Sequence, residues 1–118
     1  FVDRRNHENA MLSIENIKSS LIKKPRSILV FPEGSRTDDG KINQFKSGGL
    51  SIGIATKIPV APVAINGTYE SLKKGSKKFT RKILEIKIGK PVLTNTFCDE
   101  DRRRLSQIIR EKVKALKE

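Results

Sequence analysis

The sequence is poor in the residues that build disulfides, metal sites and membrane spans. It has one cysteine, Cys98, and one histidine, His7. A lone cysteine excludes an internal disulfide and suits a reducing compartment. One Cys and one His give no clustered ligand spacing, so we expect no metal site. No apolar run reaches about 18 residues, so no segment is predicted to span a membrane.

Aromatic residues are scarce, whereas basic residues are abundant. The sequence carries 25 Lys and Arg against 13 Asp and Glu, for a formal net charge of +12. This excess favours anionic partners such as phosphate head groups, nucleic acid or an acidic carrier. Five Phe, one Tyr and no Trp leave few rings on which bases can stack, which argues against single-stranded nucleic acid.

The length of 118 residues allows a single domain with a modest core. Position 1 is Phe, and the single Met is Met11. We therefore expect residues 1–118 to be the carboxyl-terminal portion of one domain in a longer protein, with any membrane anchor lying upstream.

A short polar segment directly follows an apolar run. Residues 31–36 read Phe-Pro-Glu-Gly-Ser-Arg, here called the FPEGSR segment, and they follow Ile-Leu-Val. The apolar run predicts a buried strand over residues 27–31 that ends at Pro32. Ligands bind beyond the carboxyl ends of strands in open α/β sheets, so the segment is a candidate site. An ordinary turn with a local Glu–Arg pair is the alternative interpretation.

Three helices are predicted from apolar spacing and end signals. The first is capped by Asn6 or Asn9, runs to about Lys23 and is stopped by Pro25. A short helix over residues 50–56 follows a Gly-rich start, where exposed N–H groups suit a phosphate or simply permit close packing. The last helix begins near Asp99, and its buried face is formed by Leu105, Ile108, Ile109, Val113 and Leu116.

Two further strands are predicted. Residues 60–65 form a strand with a break near Pro62. Residues 82–88 alternate apolar and charged side chains, which indicates a strand with one solvent-exposed face. The order strand, helix, strand predicts that residues 27–31 run parallel to residues 60–65 through a right-handed crossover.

Four blocks resemble, in order, the motifs of the 1-acylglycerol-3-phosphate acyltransferase family. The FPEGSR segment is similar to Phe-Pro-Glu-Gly-Thr-Arg, with Ser35 in place of Thr. Residues 1–4 resemble the end of the Phe-Ile-Asp-Arg block, residues 45–49 resemble Phe-Lys-x-Gly-Ala, and residues 58–63 resemble Val-Pro-Ile-Val-Pro-Val. The resemblance covers essentially the whole chain. It implies the α/β class, with a layered glycerolipid-acyltransferase-like sheet flanked by helices, of which this chain is the carboxyl-terminal part.

The resemblance also implies an activity. The family transfers a fatty acyl group from acyl-CoA or acyl-carrier protein to the sn-2 hydroxyl of lysophosphatidate, making phosphatidate in phospholipid biosynthesis. The thioester is a co-substrate, and no cofactor is expected. The implied location is the cytoplasmic face of an anionic membrane. Another glycerophosphate or lysophospholipid acceptor, or a non-catalytic basic module that binds membrane or nucleic acid, is the alternative.

The family's catalytic base is a His followed five residues later by an Asp, upstream of the Phe-Ile-Asp-Arg block. His7 is followed five residues later by Leu12 and lies after that block. We therefore assign no catalytic residue in this chain and expect the catalytic block to be missing.

What remains, by the same resemblance, is the half that binds the acceptor phosphate. The implied substrate-binding residues are Arg4, Glu33, Gly34, Ser35, Arg36 and Lys46. Guanidinium groups match the oxygens of a phosphate, and Lys46 adds a third cation. Glu33 either orients Arg36 or hydrogen-bonds the glycerol portion.

A basic segment, residues 73–90, follows the fourth block. Its eight cations are Lys73, Lys74, Lys77, Lys78, Arg81, Lys82, Lys87 and Lys90, with one acid, Glu85. Such a run is usually a solvated loop. The alternative is a surface that lies on anionic lipid, where each basic residue adds about 1 kcal/mol.

Overall fold

The computed structural model describes residues 6–117 of the chain. In chain order its elements are helix α1 (His7–Lys23), helix α2 (Ser47–Thr56), strand β1 (Val63–Asn66), helix α3 (Thr68–Ser71), strand β2 (Glu85–Ile88), a 3₁₀ turn (Asp99–Asp101) and helix α4 (Arg102–Lys117). Helices packed on a small sheet confirm the predicted α/β class.

Helix α1 forms as its sequence predicts. The Asn6 side chain accepts a hydrogen bond of 2.9 Å from the backbone N–H of Glu8, which satisfies a donor that the first turn leaves free. Leu21 is fully buried, and Ile14 reaches Gly48 at the start of α2. The helix ends ahead of Pro25.

The predicted parallel strand pair is wrong for the described part of the chain. Residues 25–31 form no ladder with any other described residue, and the ladder found among residues 6–117 pairs β1 with β2 in antiparallel order, with Val63 opposite Ile88. The break predicted near Pro62 is confirmed, because Val60 bridges separately to Val92 before β1 begins. An apolar run makes a segment suitable for a sheet, but a ladder also needs an adjacent strand.

Strand β2 forms the second half of the predicted strand, and its apolar side chains are exposed. Ile86 and Ile88 are 63% and 72% exposed, whereas Lys87 is half-buried. Lys87 lies opposite Ala64, which is buried on the face of β1 that packs against α4. The position of α4 therefore determines which face of the hairpin is covered.

The core lies between α2, β1 and α4. Leu105, Ile109 and Val113 form the buried stripe of α4, as predicted, and they pack with Leu50 and Ile54 of α2. This stripe places α4 across both α2 and the hairpin.

Close packing fixes the end of α2. A Cβ atom on Gly53 would lie 2.7 Å from Val60 Cγ2 and 3.2 Å from the Ile58 carbonyl oxygen, so only glycine fits. The buried Thr94 hydroxyl lies 3.0 Å from the Gly53 carbonyl oxygen and 3.2 Å from that of Ile58. Buried polar groups are thereby satisfied where α2 meets the strand that follows it.

Among residues 6–117, none of the helices combines the length and the apolar character needed to cross a bilayer.

Candidate functional site

The FPEGSR segment forms a tight turn whose carboxylate is held in place. The Gly34 N–H donates to the Phe31 carbonyl oxygen at 3.2 Å, and Gly34 has a φ of +72°, a conformation that glycine adopts readily. The half-buried Glu33 accepts a hydrogen bond of 2.8 Å at Oε2 from the backbone N–H of Asn43. The orientation of Glu33 is therefore set by a segment ten residues away in the sequence.

A second segment closes onto the turn from the start of α2. The Lys46 N–H donates to the Pro32 carbonyl oxygen at 2.8 Å. The Lys46 ammonium lies against Gly34, since a Cβ atom on Gly34 would be 3.0 Å from Lys46 Nζ. The FPEGSR segment and the Phe-Lys-x-Gly-Gly block thus meet, and they bring a cation beside the turn.

The turn borders a largely apolar cleft of about 760 Å³. Glu33, Gly34, Ser35 and Arg36 line one part of it, and apolar residues from the 27–31 segment, α2 and β1 line the rest. Examples of these apolar residues are Leu29, Val30, Ile52, Val63 and Ile65. Such a lining matches a ligand with a polar head and an apolar tail.

Among residues 6–117, no acidic side chain pairs with the two cations of this site. Within residues 6–117, neither the Arg36 guanidinium nor the Lys46 ammonium forms an ion pair. Both side chains are exposed. The carboxylate of Glu33 is instead engaged by a backbone N–H, so both cations are available to an anion.

The other residues singled out by the sequence are Arg4 and His7. Arg4 lies outside the described residues. His7 is exposed in the first turn of α1 and is not among the residues that line the cleft. The binding roles of Glu33, Gly34, Ser35, Arg36 and Lys46 stay predictions, although the structure gathers these five residues at one turn.

The turn between the two blocks, Thr-Asp-Asp-Gly at residues 37–40, is ordered by its own side chains. Asp39 Oδ1 accepts from the Lys41 backbone N–H at 3.0 Å and from the Thr37 hydroxyl at 2.9 Å. These hydrogen bonds lower the pKa of Asp39, and the one from the Lys41 backbone has the larger effect. Gly40 has a φ of +78° and completes the turn.

Sequence reasoning missed one residue near the site. Arg110 of α4 donates from Nε to the Asn43 carbonyl oxygen at 2.9 Å and from NH2 to the Ile42 carbonyl oxygen at 3.0 Å. It lies 67 residues from Asn43 in the sequence, beside the buried Ile109. No local motif marks it, and its partners are backbone carbonyls, which a side-chain pattern cannot reveal.

The basic segment combines exposed cations with exposed apolar side chains. Lys74 pairs with Asp38 at 2.9 Å, and Lys73 lies over the Tyr69 ring. Four further cations are exposed and have no ion-pair partner among the described residues: Lys77, Lys78, Arg81 and Lys82. Phe79 and Ile83 between them are 74% and 92% exposed.

Comparison with known proteins gives one family. A profile described as Acyltransferase matches residues 1–66. The chain is 30% identical over 99 residues to the 1-acyl-sn-glycerol-3-phosphate acyltransferase of Cocos nucifera, covering 84% of this chain and 32% of the relative. It is 24% identical over 110 residues to the alpha form of Homo sapiens, covering 93% of this chain and 39% of the relative.

A solved structure is also similar. The crystal structure of the 1-acyl-sn-glycerophosphate (LPA) acyltransferase PlsC from Thermotoga maritima matches with a TM-score of 0.75 and 34% identity. The match covers 92% of this chain and 45% of that one. The chain therefore spans less than half of the solved relative, and about a third of the curated relatives just named.

Proposed function

Because this chain belongs to the Acyltransferase family, we propose that it forms the acceptor-binding half of an O-acyltransferase. The enzyme transfers a fatty acyl group from acyl-CoA or acyl-carrier protein to the sn-2 hydroxyl of lysophosphatidate and so makes phosphatidate. The relatives named above carry the corresponding activity in their names.

One observation carries this proposal: Arg36, which has no ion pair among residues 6–117, and the fixed carboxylate of Glu33 line an apolar cleft, and the Lys46 ammonium lies beside Gly34. Lysophosphatidate has a phosphate, a free glycerol hydroxyl and an apolar tail. The guanidinium of Arg36 offers a planar set of donors for phosphate oxygens, and Lys46 adds a point charge. The apolar lining suits the acyl chain. The site thus has a complementary group for each part of this acceptor.

Glu33 has a defined part in this arrangement. Its Oε2 is engaged by the Asn43 N–H, which leaves the other carboxylate oxygen for the substrate or for Arg36. We propose that it positions the glycerol portion, while the proton of the attacking hydroxyl is removed by the family's His-x₄-Asp block, which this chain lacks.

We further propose that the enzyme works at the cytoplasmic face of an anionic membrane. The net charge of +12 and the exposed cations and apolar side chains of the basic segment support this location. Lysyl and arginyl side chains attract anionic head groups, and Phe79 and Ile83 suit the boundary between head groups and acyl chains.

The experiment is an acceptor panel with the enzyme that carries this chain together with a His-x₄-Asp block. Acyl transfer is measured with lysophosphatidate, lysophosphatidylcholine, glycerol 3-phosphate and monoacylglycerol. We expect the highest kcat/KM with lysophosphatidate. Equal or better use of lysophosphatidylcholine would favour the alternative acceptor. If glycerol 3-phosphate were the best acceptor, the enzyme would catalyse the acylation that produces lysophosphatidate. A repeat with acyl-CoA and acyl-carrier protein identifies the donor.

A further inference from the structure

The Arg110 side chain links helix α4 to the peptide group between Ile42 and Asn43, beside the site. The carbonyl oxygen of Ile42 and the N–H of Asn43 belong to the same peptide unit, which is planar and rigid. The carbonyl accepts a hydrogen bond from Arg110 NH2 at 3.0 Å, and the N–H donates to Glu33 Oε2 at 2.8 Å. The Arg110 guanidinium and the Glu33 carboxylate therefore hydrogen-bond to the carbonyl and to the N–H of the same peptide group.

Arg110 binds residues 42–43 with two hydrogen bonds. Arg110 Nε also donates to the Asn43 carbonyl oxygen at 2.9 Å, so two successive carbonyls share one planar guanidinium. Its third nitrogen lies 3.6 Å from Glu111. A fork of this kind fixes direction as well as distance, which an ammonium group does not.

We infer that Arg110 is a positioning residue for the acceptor site, an inference that rests on the proposed function. Arg110 fixes the tilt of the Ile42–Asn43 peptide plane and thereby aims the N–H that orients the Glu33 carboxylate. A cation on the carbonyl also polarises the amide and makes its N–H a stronger donor. Arg110 does not contact the substrate, and it affects substrate binding only through the orientation of Glu33.

The test compares variants of the enzyme that carries this chain and a His-x₄-Asp block. Arg110→Gln removes the charge, and Arg110→Lys keeps the charge but removes the fork. Arg103→Gln is the matched control, since Arg103 is exposed on the same helix. We expect Arg110→Gln to raise KM for lysophosphatidate about 10-fold with a smaller change in kcat, because a hydrogen bond to a charged group is of that strength. Arg110→Lys should recover part of the loss, and Arg103→Gln should change nothing.

A double-mutant cycle tests whether Arg110 acts through Glu33. If Arg110 acts through Glu33, then Arg110→Gln in a Glu33→Gln background should raise KM no further. Additive effects in the cycle, or a fall in thermal stability with KM unchanged, would overturn the inference.

A second readout does not depend on activity. Hydrogen–deuterium exchange of the peptide covering residues 40–46 should accelerate in Arg110→Gln and stay at the wild-type rate in Arg103→Gln. Unchanged exchange in Arg110→Gln would refute the positioning role even in an active enzyme. If the wild-type enzyme does not acylate lysophosphatidate, the proposed function is wrong. The exchange measurement would still show whether Arg110 orders the segment that contains Asn43.

Discussion

The Lys46 backbone N–H donates a hydrogen bond of 2.8 Å to the Pro32 carbonyl oxygen, and the Lys46 ammonium rests on Gly34. This pair joins two sequence blocks separated by the turn at Gly40. The backbone contact sets the distance between the blocks, whereas the side-chain contact brings a cation beside the FPEGSR segment. Gly34 allows both, because its position has a positive φ and no room for a Cβ atom without moving the lysine.

Gly34→Ala should therefore damage both stability and substrate binding. The left-handed conformation of Gly34 costs a non-glycine residue about 1–2 kcal/mol of unfolding free energy, and the added methyl displaces Lys46 Nζ. Gly75 is the matched control, since its φ is +81° and a Cβ atom added there would meet nothing within 4 Å. We expect similar losses in a denaturant titration but a raised KM for lysophosphatidate only in Gly34→Ala. Equal KM values in the two variants would contradict the role of Lys46.

Gly53→Ala tests the packing that holds α2 below the cleft. Its methyl would press on Val60 Cγ2 and the Ile58 carbonyl, so we expect a loss of about 1–3 kcal/mol in the free energy of unfolding. Gly48→Ala on the same helix meets only the flexible end of Ile14 at 3.1 Å. It should be neutral or stabilising by about 0.5–1 kcal/mol because alanine favours the helix. A Gly53→Ala enzyme as stable as wild type would show that α2 can shift.

The basic segment should confer salt-dependent binding to anionic vesicles. Replacing Lys77, Lys78 and Arg81 together by Ala should weaken binding to phosphatidylglycerol vesicles on the order of 100-fold at low salt, given about 1 kcal/mol for each cation. A control that replaces Lys23, Lys24 and Lys112 removes the same charge elsewhere. Equal losses in the two triple variants would mean that net charge alone drives binding. Tighter binding to an oligonucleotide than to vesicles across the salt range would favour the nucleic-acid alternative.

The sequence specified the helices better than the sheet. The spacing of Leu105, Ile109 and Val113 predicts the buried face of α4 because a helix makes its own hydrogen bonds. Strand signals in residues 27–31 are equally clear, but a ladder depends on a neighbour that local sequence does not identify. The alternation in residues 82–88 likewise does not identify which face of β2 is exposed, since the position of α4 decides which side of the hairpin is covered.

The site divides in the same way. Glu33 and Arg36 are recognisable because a turn concentrates a carboxylate, a hydroxyl and a guanidinium after an apolar run. Arg110 is not, because it acts on backbone carbonyls 67 and 68 residues away. A side chain that binds main-chain atoms requires no particular residue type in its partner, so the sequence contains no motif that identifies the contact.

The residues 1–118 expressed alone should transfer no acyl group. They lack the His and Asp pair, and a general base of this kind contributes on the order of 10²–10⁴-fold. In the enzyme that carries the block, His7→Ala should leave kcat and KM unchanged, since His7 is exposed at the start of α1. Turnover by the isolated residues that disappears with His7→Ala would show that the base had been assigned wrongly.

The most direct test of the central claim is head-group discrimination by Arg36→Ala in the active enzyme. The ratio of kcat/KM for lysophosphatidate to that for monoacylglycerol, which lacks the phosphate, isolates the phosphate contact. Loss of a charge-assisted bidentate contact should lower this ratio about 10- to 100-fold, with thermal stability unchanged because Arg36 is exposed and unpaired among residues 6–117. Arg103→Ala should leave the ratio at the wild-type value. A wild-type ratio in Arg36→Ala would contradict the assignment of this site to the acceptor phosphate.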